Sequence, residues 1–248
     1  MAEGAPGWIE PDWEVPSRVH GLSTLRTGGV SGGPFASLNL GMHAGDDRGA
    51  VLENRARLVR EANLPAEPVW LKQVHGVRVV RAAGATLDEP EADGAVTAER
   101  GVVCAVLTAD CLPVFLARTD GSAVGVAHAG WRGLAMGVVE AAVRALPGSD
   151  APVSAWLGPA IGPAAFEVGP EVHDAFVNRH PADAACFRPG HGDRYFADLY
   201  GLARARLSRA GVATVGGGDR CTHDEDRLFF SHRRDGLTGR MASLVWLD

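Results

Sequence analysis

The chain has 248 residues, a formal net charge of −6 and an apolar fraction of 46%, as expected for a globular protein with a substantial core. The acidic balance and the lack of basic runs argue against a nucleic-acid or membrane partner. The first twenty residues contain several acids and no apolar signal-peptide core, and the four cysteines form no CxxC pair. These features favour a cytoplasmic protein with free thiols.

Helical and extended patterns alternate along the chain. Residues 1–16 are rich in Pro, Gly and acids and are predicted to be a loose lead-in to a single domain over residues 17–248. In chain order we predict a Gly-rich loop at 28–41, a helix at 46–64, strands at 77–82 and 102–107, a hairpin around Asp120-Gly121, a helix at 134–146, a strand at 152–157, helices at 171–177 and 197–210, and strands at 227–231 and 241–247. This order predicts a mixed α/β fold.

The predicted hairpin places two reactive side chains near its open end. Cys111 precedes the first apolar run and His128 ends the second. A two-residue loop at Asp120-Gly121 sets Cys111 opposite Gly130, and a loop one residue earlier sets it opposite His128. Either register puts thiol and imidazole on one face of the sheet, whereas a three-residue loop would separate them. The hairpin therefore favours a joint site.

His75, in the segment Gln73-Val74-His75-Gly76, is the third candidate donor. A thiolate and two imidazoles suit zinc or copper, and three protein ligands leave a fourth position open, as in catalytic zinc sites. The same atoms permit a metal-free alternative, in which Cys111 is a nucleophile and His128 or His75 its base. The pattern alone does not decide whether His75 joins the other two.

Two arginines are candidates for binding an anion. Arg132 follows Gly130-Trp131 at a predicted strand-to-helix junction, where backbone N–H groups can also cradle an anion. Arg26 precedes the Gly-rich loop. Asp110 alternates with Cys111, so on a regular strand it points to the opposite face and could orient a partner only if the strand bends before Pro113.

Motifs from about residue 20 to the end of the chain carry a family resemblance. They are Thr27-Gly28-Gly29-Val30-Ser31, Ser37-Leu38-Asn39-Leu40-Gly41, Gln73-Val74-His75, residues 108–113, residues 128–133, residues 157–162, Phe166-Glu167-Val168-Gly169, residues 229–235 and Thr238-Gly239-Arg240-Met241-Ala242. With these motifs the chain resembles the laccase-domain family, also called multicopper polyphenol oxidase-like or purine nucleoside phosphorylase laccase-domain proteins. Two departures are His232, where an aromatic residue is usual, and Leu25, where Thr is more familiar.

The resemblance implies a fold, a metal and a reaction. The fold is a mixed-sheet α/β/β/α sandwich related to cysteine-hydrolase-like proteins. The catalytic and metal-binding residues are His75, Cys111 and His128, with zinc as the ion and copper as the alternative. The implied activities are phosphorolysis of adenosine, inosine, guanosine and methylthioadenosine, with adenosine deamination beside it. The expected partners are thus a nucleoside and phosphate, and the chain is expected to be a monomer or small homo-oligomer. The expected substrate-binding residues are Arg26, Asn39, Gln73, Asp110 and Arg132.

Other activities attributed to this family are weaker expectations. Copper-dependent oxidation of phenols by a true multicopper oxidase needs paired His-x-His motifs, and none of the nine histidines is so arranged. Hydrolytic editing of peptidoglycan precursors would use Cys111 as a nucleophile, possibly on an amide, and would not need a metal. A third hypothesis is a non-enzymatic binding module in which zinc only stabilises the fold. The leading expectation is a zinc-dependent purine nucleoside phosphorylase.

Overall fold

Two β-sheets lie face to face in the computed structural model, which describes residues 7–84 and 89–248. The strands are β1 (Trp8–Ile9), β2 (Val19–Thr24), β3 (Val79–Arg81), β4 (Gly94–Thr97), β5 (Cys104–Thr108), β6 (Leu112–Arg118), β7 (Val124–Ala129), β8 (Val153–Leu157), β9 (Glu167–Val168), β10 (Phe187–Pro189), β11 (Tyr195–Ala197), β12 (Thr214–Gly217) and β13 (Met241–Leu247). The helices are α1 (Arg48–Glu61), α2 (Trp131–Met136), α3 (Val138–Ala145), α4 (Pro170–Val177), α5 (Leu199–Arg209) and α6 (His232–Asp235). Short 3₁₀ helices span Gly33–Phe35 and Pro181–Cys186.

The larger sheet is mixed and has the order β12-β8-β6-β7-β4-β3. Its outer pairs β12/β8 and β3/β4 are parallel, whereas β8, β6, β7 and β4 pair antiparallel. The smaller sheet has the order β1-β2-β13-β5 and is antiparallel. A third, short sheet has the order β10-β11-β9. The hairpin β6/β7 thus lies in the middle of the larger sheet.

Apolar side chains fill three layers of core. Between the two sheets pack Phe115, Val126, Trp156 and Val245, among others. The other face of the larger sheet packs on α2 to α5, through residues such as Leu116, Leu134, Val139, Phe176 and Leu202. The other face of the smaller sheet packs on α1, through residues such as Leu22, Leu58 and Leu244. The layers are therefore α/β/β/α, which confirms the predicted mixed α/β sandwich; the cysteine-hydrolase-like label stays a prediction.

The predicted elements agree with the structure where local signals are strong. Helix α1 begins after Asp47, whose carboxylate accepts a hydrogen bond from the Ala50 amide at 2.8 Å. The predicted helix over 134–146 is interrupted: Gly137 has φ +104°, so the chain forms α2 and α3 instead. The predicted strand over 227–231 is wrong, because Arg227 and Leu228 lie in a turn and residues 229–231 have no regular secondary structure, with Phe229 and Phe230 fully buried.

The predicted lead-in makes contacts with the domain. Residues 1–6 lie outside the described residues. Trp8–Ile9 pair with β2, and Trp156 Nε1 donates a hydrogen bond to Asp12 at 2.6 Å. The proposed division at residue 17 stays a prediction. Among the described residues, no helix has the length and apolar character that crossing a bilayer requires.

Candidate metal centre

Three donor side chains converge at one end of the β6/β7 hairpin. His128 lies on β7, Cys111 immediately precedes β6, and His75 lies in the loop before β3. One donor atom from each lies within 4.8 Å of the other two. Cys111 Sγ is 3.8 Å from His75 Nε2, and the two imidazole rings meet edge-on at 4.7 Å between centroids. The structure therefore brings His75 to the predicted Cys/His pair.

The hairpin register explains why Cys111 and His128 share a face. Leu112 pairs with Ala129 and Pro113 with His128, and the same register sets Cys111 opposite Gly130. This is the register predicted for a turn centred on Asp120-Gly121. A Cβ atom on Gly130 would lie 3.0 Å from Cys111 Sγ and 2.9 Å from His75 Cδ2. Glycine at this position therefore leaves the space in which the three donors meet.

Asp93 connects two of the donor residues. It is fully buried just before β4, and its carboxylate accepts the backbone N–H groups of Val74, His75 and Gly76 at 2.7–3.2 Å. These bonds hold the loop in which His75 has the left-handed φ of +59°. The same carboxylate lies 2.9 Å from His128 Nδ1. This contact leaves Nε2 of His128 free to face the other donors.

The protonation of Cys111 and His128 is coupled. Burial raises the pKa of the Cys111 thiol, but the His128 charge and hydrogen bonds from His128 and His75 lower it to about 6. Burial lowers the pKa of His128, but the Cys111 charge and the Asp93 hydrogen bond raise it to about 9. At a pH between these two values, the metal-free pair is therefore a thiolate beside an imidazolium. The thiolate is the form that binds metal, and His128 would lose its Nε2 proton on binding.

The donor set fits a zinc ion. Tetrahedral Zn–S and Zn–N bonds set neighbouring ligand atoms about 3.3–3.8 Å apart, close to the 3.8 Å between Cys111 Sγ and His75 Nε2. Three ligands leave one coordination position for another molecule. His75 is exposed and Cys111 partly exposed, so this position faces an open cavity. His75, Cys111 and His128 can together hold a metal ion.

Two cavities meet at this centre. The His43 cavity, of about 480 Å³, is lined by His43, Gln73, Arg240 and the three donor residues, among others. The Phe166 cavity, of about 360 Å³, is lined by Asp110, Trp131, Phe166, Glu167, Arg194 and Arg233, among others. Cys111, Arg132 and His232 line both cavities. The centre is therefore reachable from two neighbouring cavities. Arginines line both of them, together with aromatic rings in the Phe166 cavity and imidazole rings in the His43 cavity.

The family is decided by a match over most of the chain. Residues 20–248 match a family model described as "Multi-copper polyphenol oxidoreductase laccase". The chain belongs to this laccase family. Similar proteins include a purine nucleoside phosphorylase YfiH of Escherichia coli, 51% identical over 96% of this chain and 98% of that protein. The purine nucleoside phosphorylase PA4543 of Pseudomonas aeruginosa is 51% identical over 97% of this chain and 98% of its own.

Solved structures of similar proteins have the same fold as this chain. Protein NMB0706 of Neisseria meningitidis has a TM-score of 0.92 and 48% identity, with coverage of 97% of this chain and 99% of that one. YlmD of Geobacillus stearothermophilus has a TM-score of 0.88 and 35% identity, with coverage of 98% and 97%. The predicted family membership is confirmed by these comparisons.

Three of the expected substrate-binding residues of this laccase-family chain line a cavity. Arg132 is exposed and lines both the His43 cavity and the Phe166 cavity. Its guanidinium lies 4.4 Å from the centroid of the Trp131 ring. Gln73 lines the His43 cavity, but its amide exchanges hydrogen bonds with the backbone N–H and C=O of Leu107 at 2.7 and 2.8 Å. Gln73 therefore fixes the loop that carries His75 against β5.

Asp110 faces the Phe166 cavity because the chain bends there. Its φ is +88°, and β6 begins only at Leu112. One carboxylate oxygen accepts from Thr222 Oγ1 at 2.7 Å and the other from the Arg233 amide at 2.6 Å. Both oxygens are thus committed to protein groups, and Asp110 holds α6 and the loop at Thr222 around the cavity.

Arg26 and Asn39 do not line either cavity. The Arg26 guanidinium donates to the carbonyls of Ala36 and Asp226 and lies over the Phe230 ring. Asn39 is fully buried, and its Oδ1 accepts from the amides of Gly41 and Arg240. The structure therefore does not bring these two expected residues to the donor set.

Sequence reasoning did not single out Asp93, Arg240 or His43. Asp93 lies 35 residues before His128, and only the pairing of β4 with β7 brings them together. An acid directly before a short, small-residue strand is the signal that could have found Asp93. For Arg240, the signal is a cation between Gly239 and the apolar run of β13.

Proposed function

We propose that this chain is a zinc-dependent purine nucleoside phosphorylase with its centre at His75, Cys111 and His128. The observation that carries the proposal is a set of three donors able to hold a metal ion, at the meeting point of two cavities with arginines on their walls. Relatives named purine nucleoside phosphorylase, alike over almost the whole chain, support it. We take adenosine, inosine, guanosine and methylthioadenosine as the substrates, and the cytoplasm as the compartment.

The reaction places defined demands on the site. An oxygen of hydrogen phosphate bonds to C1′ of the ribose, and the bond from C1′ to purine N9 breaks with its electron pair going to N9. The phosphate proton ends on the purine, so the products are the free purine and ribose 1-phosphate. The site must therefore hold a dianion beside a nucleoside and stabilise charge as it moves. Zinc at the three donors would supply Lewis acidity next to the reacting atoms.

The residues of the chain are suited to these tasks. Trp131 and Phe166 offer aromatic surface for a purine in the Phe166 cavity. Arg132 adds positive charge where the two cavities meet. Asp93 holds His128 with Nδ1 engaged and fixes the His75 loop. The substrates would thus meet at a rigid centre rather than at a mobile one.

Product analysis with adenosine tests the proposal. Purified protein, incubated with adenosine and phosphate, should release adenine and ribose 1-phosphate in equal amounts, and only when phosphate is present. Cys111→Ala should abolish purine release. Cys186→Ala should retain it, because the Cys186 thiol lines neither cavity. Metal-loaded protein that releases no purine would end the proposal.

Adenosine deamination at the same centre is the proposed side activity. Water would add to C6 of adenosine and ammonia would leave, giving inosine. Inosine and ammonia should form without phosphate and should disappear in Cys111→Ala. Elemental analysis of protein purified without added metal identifies the ion, which we propose to be zinc; copper as the bound ion would contradict it.

A cysteine hydrolase is the second candidate function. The observation that favours it is the Cys111 thiolate, with a pKa of about 6, beside the His128 imidazolium. This pair could attack an amide, for example in a peptidoglycan precursor. Full amide hydrolysis by metal-free protein, lost when Cys111 is alkylated, would select the hydrolase. Loss of purine release on chelation of the metal, with recovery when zinc is added, would select the phosphorylase.

The family description also raises copper-dependent oxidation of phenols. The three donors offer a single-ion centre, and copper bound there could support such an oxidation only as an adventitious reaction. Oxidation of a phenol by copper-loaded protein, compared with zinc-loaded protein, measures it. Oxidation faster than purine release with the native metal would replace the phosphorylase proposal.

A further inference from the structure

Arg240 stands directly before β13 and lines the His43 cavity together with the three metal donors. Its guanidinium is half-buried, and one terminal nitrogen donates to the carbonyls of Thr238 and Gly239 at 2.7 and 3.0 Å. Within residues 7–84 and 89–248, no carboxylate pairs with Arg240, and its Nε and second terminal nitrogen have no acceptor. These two nitrogens form the side-on pair that binds two oxygens of one anion.

The surrounding backbone fixes the position of Arg240. Asn39 Oδ1 accepts from the Arg240 amide at 2.9 Å, and the Leu40 amide donates to the Arg240 carbonyl at 3.1 Å. A Cβ atom on Gly41 would lie 2.7 Å from Arg240 Cγ, so the aliphatic part of the side chain passes over this glycine. Arg240 is therefore preorganised, and little side-chain entropy is lost when an anion binds.

The charge of Arg240 lacks the partner that a comparable arginine has. Arg55, which is buried, forms an ion pair with Glu89 at 3.0 Å. Near Arg240 the acidic groups are Cys111 and Asp110. Cys111 belongs to the donor set, and Asp110 accepts two hydrogen bonds from protein groups, so neither pairs with Arg240. Removing an arginine from water without a counter-ion costs free energy. A bound anion would compensate this cost.

The geometry points to Arg240 as the residue that binds inorganic phosphate, an assignment that rests on the proposed phosphorylase function. Arg26 cannot take this role, because its guanidinium is engaged by backbone carbonyls and lies outside both cavities. Arg132 is exposed and lies over its neighbour Trp131, so it adds charge without a fixed fork. Phosphate held by Arg240 stands next to the donor set and supplies the oxygen that bonds to C1′ as the bond to N9 breaks.

Phosphate saturation curves test the assignment. Arg240→Gln should raise the KM for phosphate about 10- to 100-fold, the effect of losing a charge-assisted hydrogen-bonded pair, while the KM for adenosine changes less than about threefold. The matched control is Arg204→Gln: Arg204 also donates to two backbone carbonyls, of Val215 and Gly217, and lines neither cavity. This control should keep the wild-type KM for phosphate.

Calorimetric binding of inorganic phosphate to the metal-loaded protein separates this inference from the proposed function. Phosphate binding that needs Arg240, in a protein that releases no purine, would support the inference and contradict the phosphorylase. Purine release by the wild type, with an unchanged KM for phosphate in Arg240→Gln, would support the phosphorylase and overturn the inference. A rise in the KM for adenosine alone would also overturn it.

If Arg240→Gln has a lower melting temperature than Arg204→Gln, the substitution has impaired folding. A second variant then tests the assignment. Gly41→Ala keeps the guanidinium but displaces the side chain that carries it. It should raise the calorimetric Kd for phosphate and leave the metal content at the wild-type value. Unchanged phosphate affinity in a folded Gly41→Ala protein would overturn the assignment.

Discussion

The Asp93 carboxylate lies 2.9 Å from His128 Nδ1 and is fully buried. The same group accepts the amide of His75 at 2.9 Å. One side chain therefore sets both the ring orientation of one donor and the backbone of another. A hydrogen bond of this kind fixes the tautomer of a metal-binding histidine and strengthens its bond to the metal.

Replacing Asp93 with Asn should loosen the metal centre. The amide can keep one accepting oxygen, but it cannot serve both His128 and the three amides that Asp93 now accepts. We expect zinc affinity to fall about 10- to 100-fold, measured by competition with a chromogenic chelator. The control is Glu91→Gln, an exposed acid two residues away. Equal zinc affinity in the two variants would contradict a positioning role for Asp93.

Adding one methyl group at Gly130 should disrupt the same centre without touching a donor. The new Cβ would lie 3.0 Å from Cys111 Sγ and 2.9 Å from His75 Cδ2, closer than packed carbon and sulfur atoms approach. We expect Gly130→Ala to lose most bound zinc by elemental analysis while it stays folded by circular dichroism. Gly32→Ala, where a Cβ meets nothing within 4 Å, should keep its zinc. Full zinc occupancy in Gly130→Ala would refute the close approach of these donors.

The sequence predicts local features of the fold and fails where distant contacts decide. The hairpin register follows from two apolar runs and their turn, so the shared face of Cys111 and His128 is predictable. The break at Gly137 is not predicted, because helical spacing continues on both sides of this residue, which adopts the left-handed φ of +104° between α2 and α3. Phe229 and Phe230 suggest a strand because they are apolar, but both are buried in a segment without regular secondary structure.

The candidate site divides in the same way. The three donors can be inferred from residue type, hairpin geometry and family resemblance. Sequence reasoning did not single out Asp93 or Arg240, because contacts distant in the chain bring each to the site: β4 beside β7 for Asp93, and the start of β13 beside the Asn39 loop for Arg240. Arg26 is the opposite case: a cation beside a Gly-rich loop suggests an anion site, but its guanidinium donates to carbonyl oxygens away from the donors, so its role in substrate binding stays a prediction.

Thiol reactivity should distinguish Cys111 by its pH dependence. The thiolate is the form that reacts with iodoacetamide, so a lower pKa moves reactivity to lower pH. Alkylation of Cys111 in metal-free protein should rise through pH 6, the region of its pKa, and then level off. Burial raises the pKa of Cys186 to about 11, so this thiol should stay slow at neutral pH. Peptide mapping by mass spectrometry reads both sites at once.

Zinc provides the control for this measurement. Metal bound by Cys111 should suppress its alkylation and leave the slow reaction of Cys186 unchanged. A Cys111 rate that rises only above pH 8, as for an ordinary thiol, would contradict the stabilisation of its thiolate by His128 and His75.

The Tyr200 hydroxyl should stabilise the loops behind the site. It is buried, accepts from the Ala160 amide at 2.7 Å and donates to the Arg220 carbonyl at 2.8 Å. Tyr200→Phe leaves both backbone groups without this partner, and we expect a loss of about 1–3 kcal/mol in the free energy of unfolding. Tyr195→Phe is the matched control, since the Tyr195 hydroxyl has no hydrogen bond within the described part of the chain. It should change stability by less than about 0.5 kcal/mol. Urea denaturation of the two variants measures the difference, and equal stability would show that solvent replaces the Tyr200 hydroxyl at no cost.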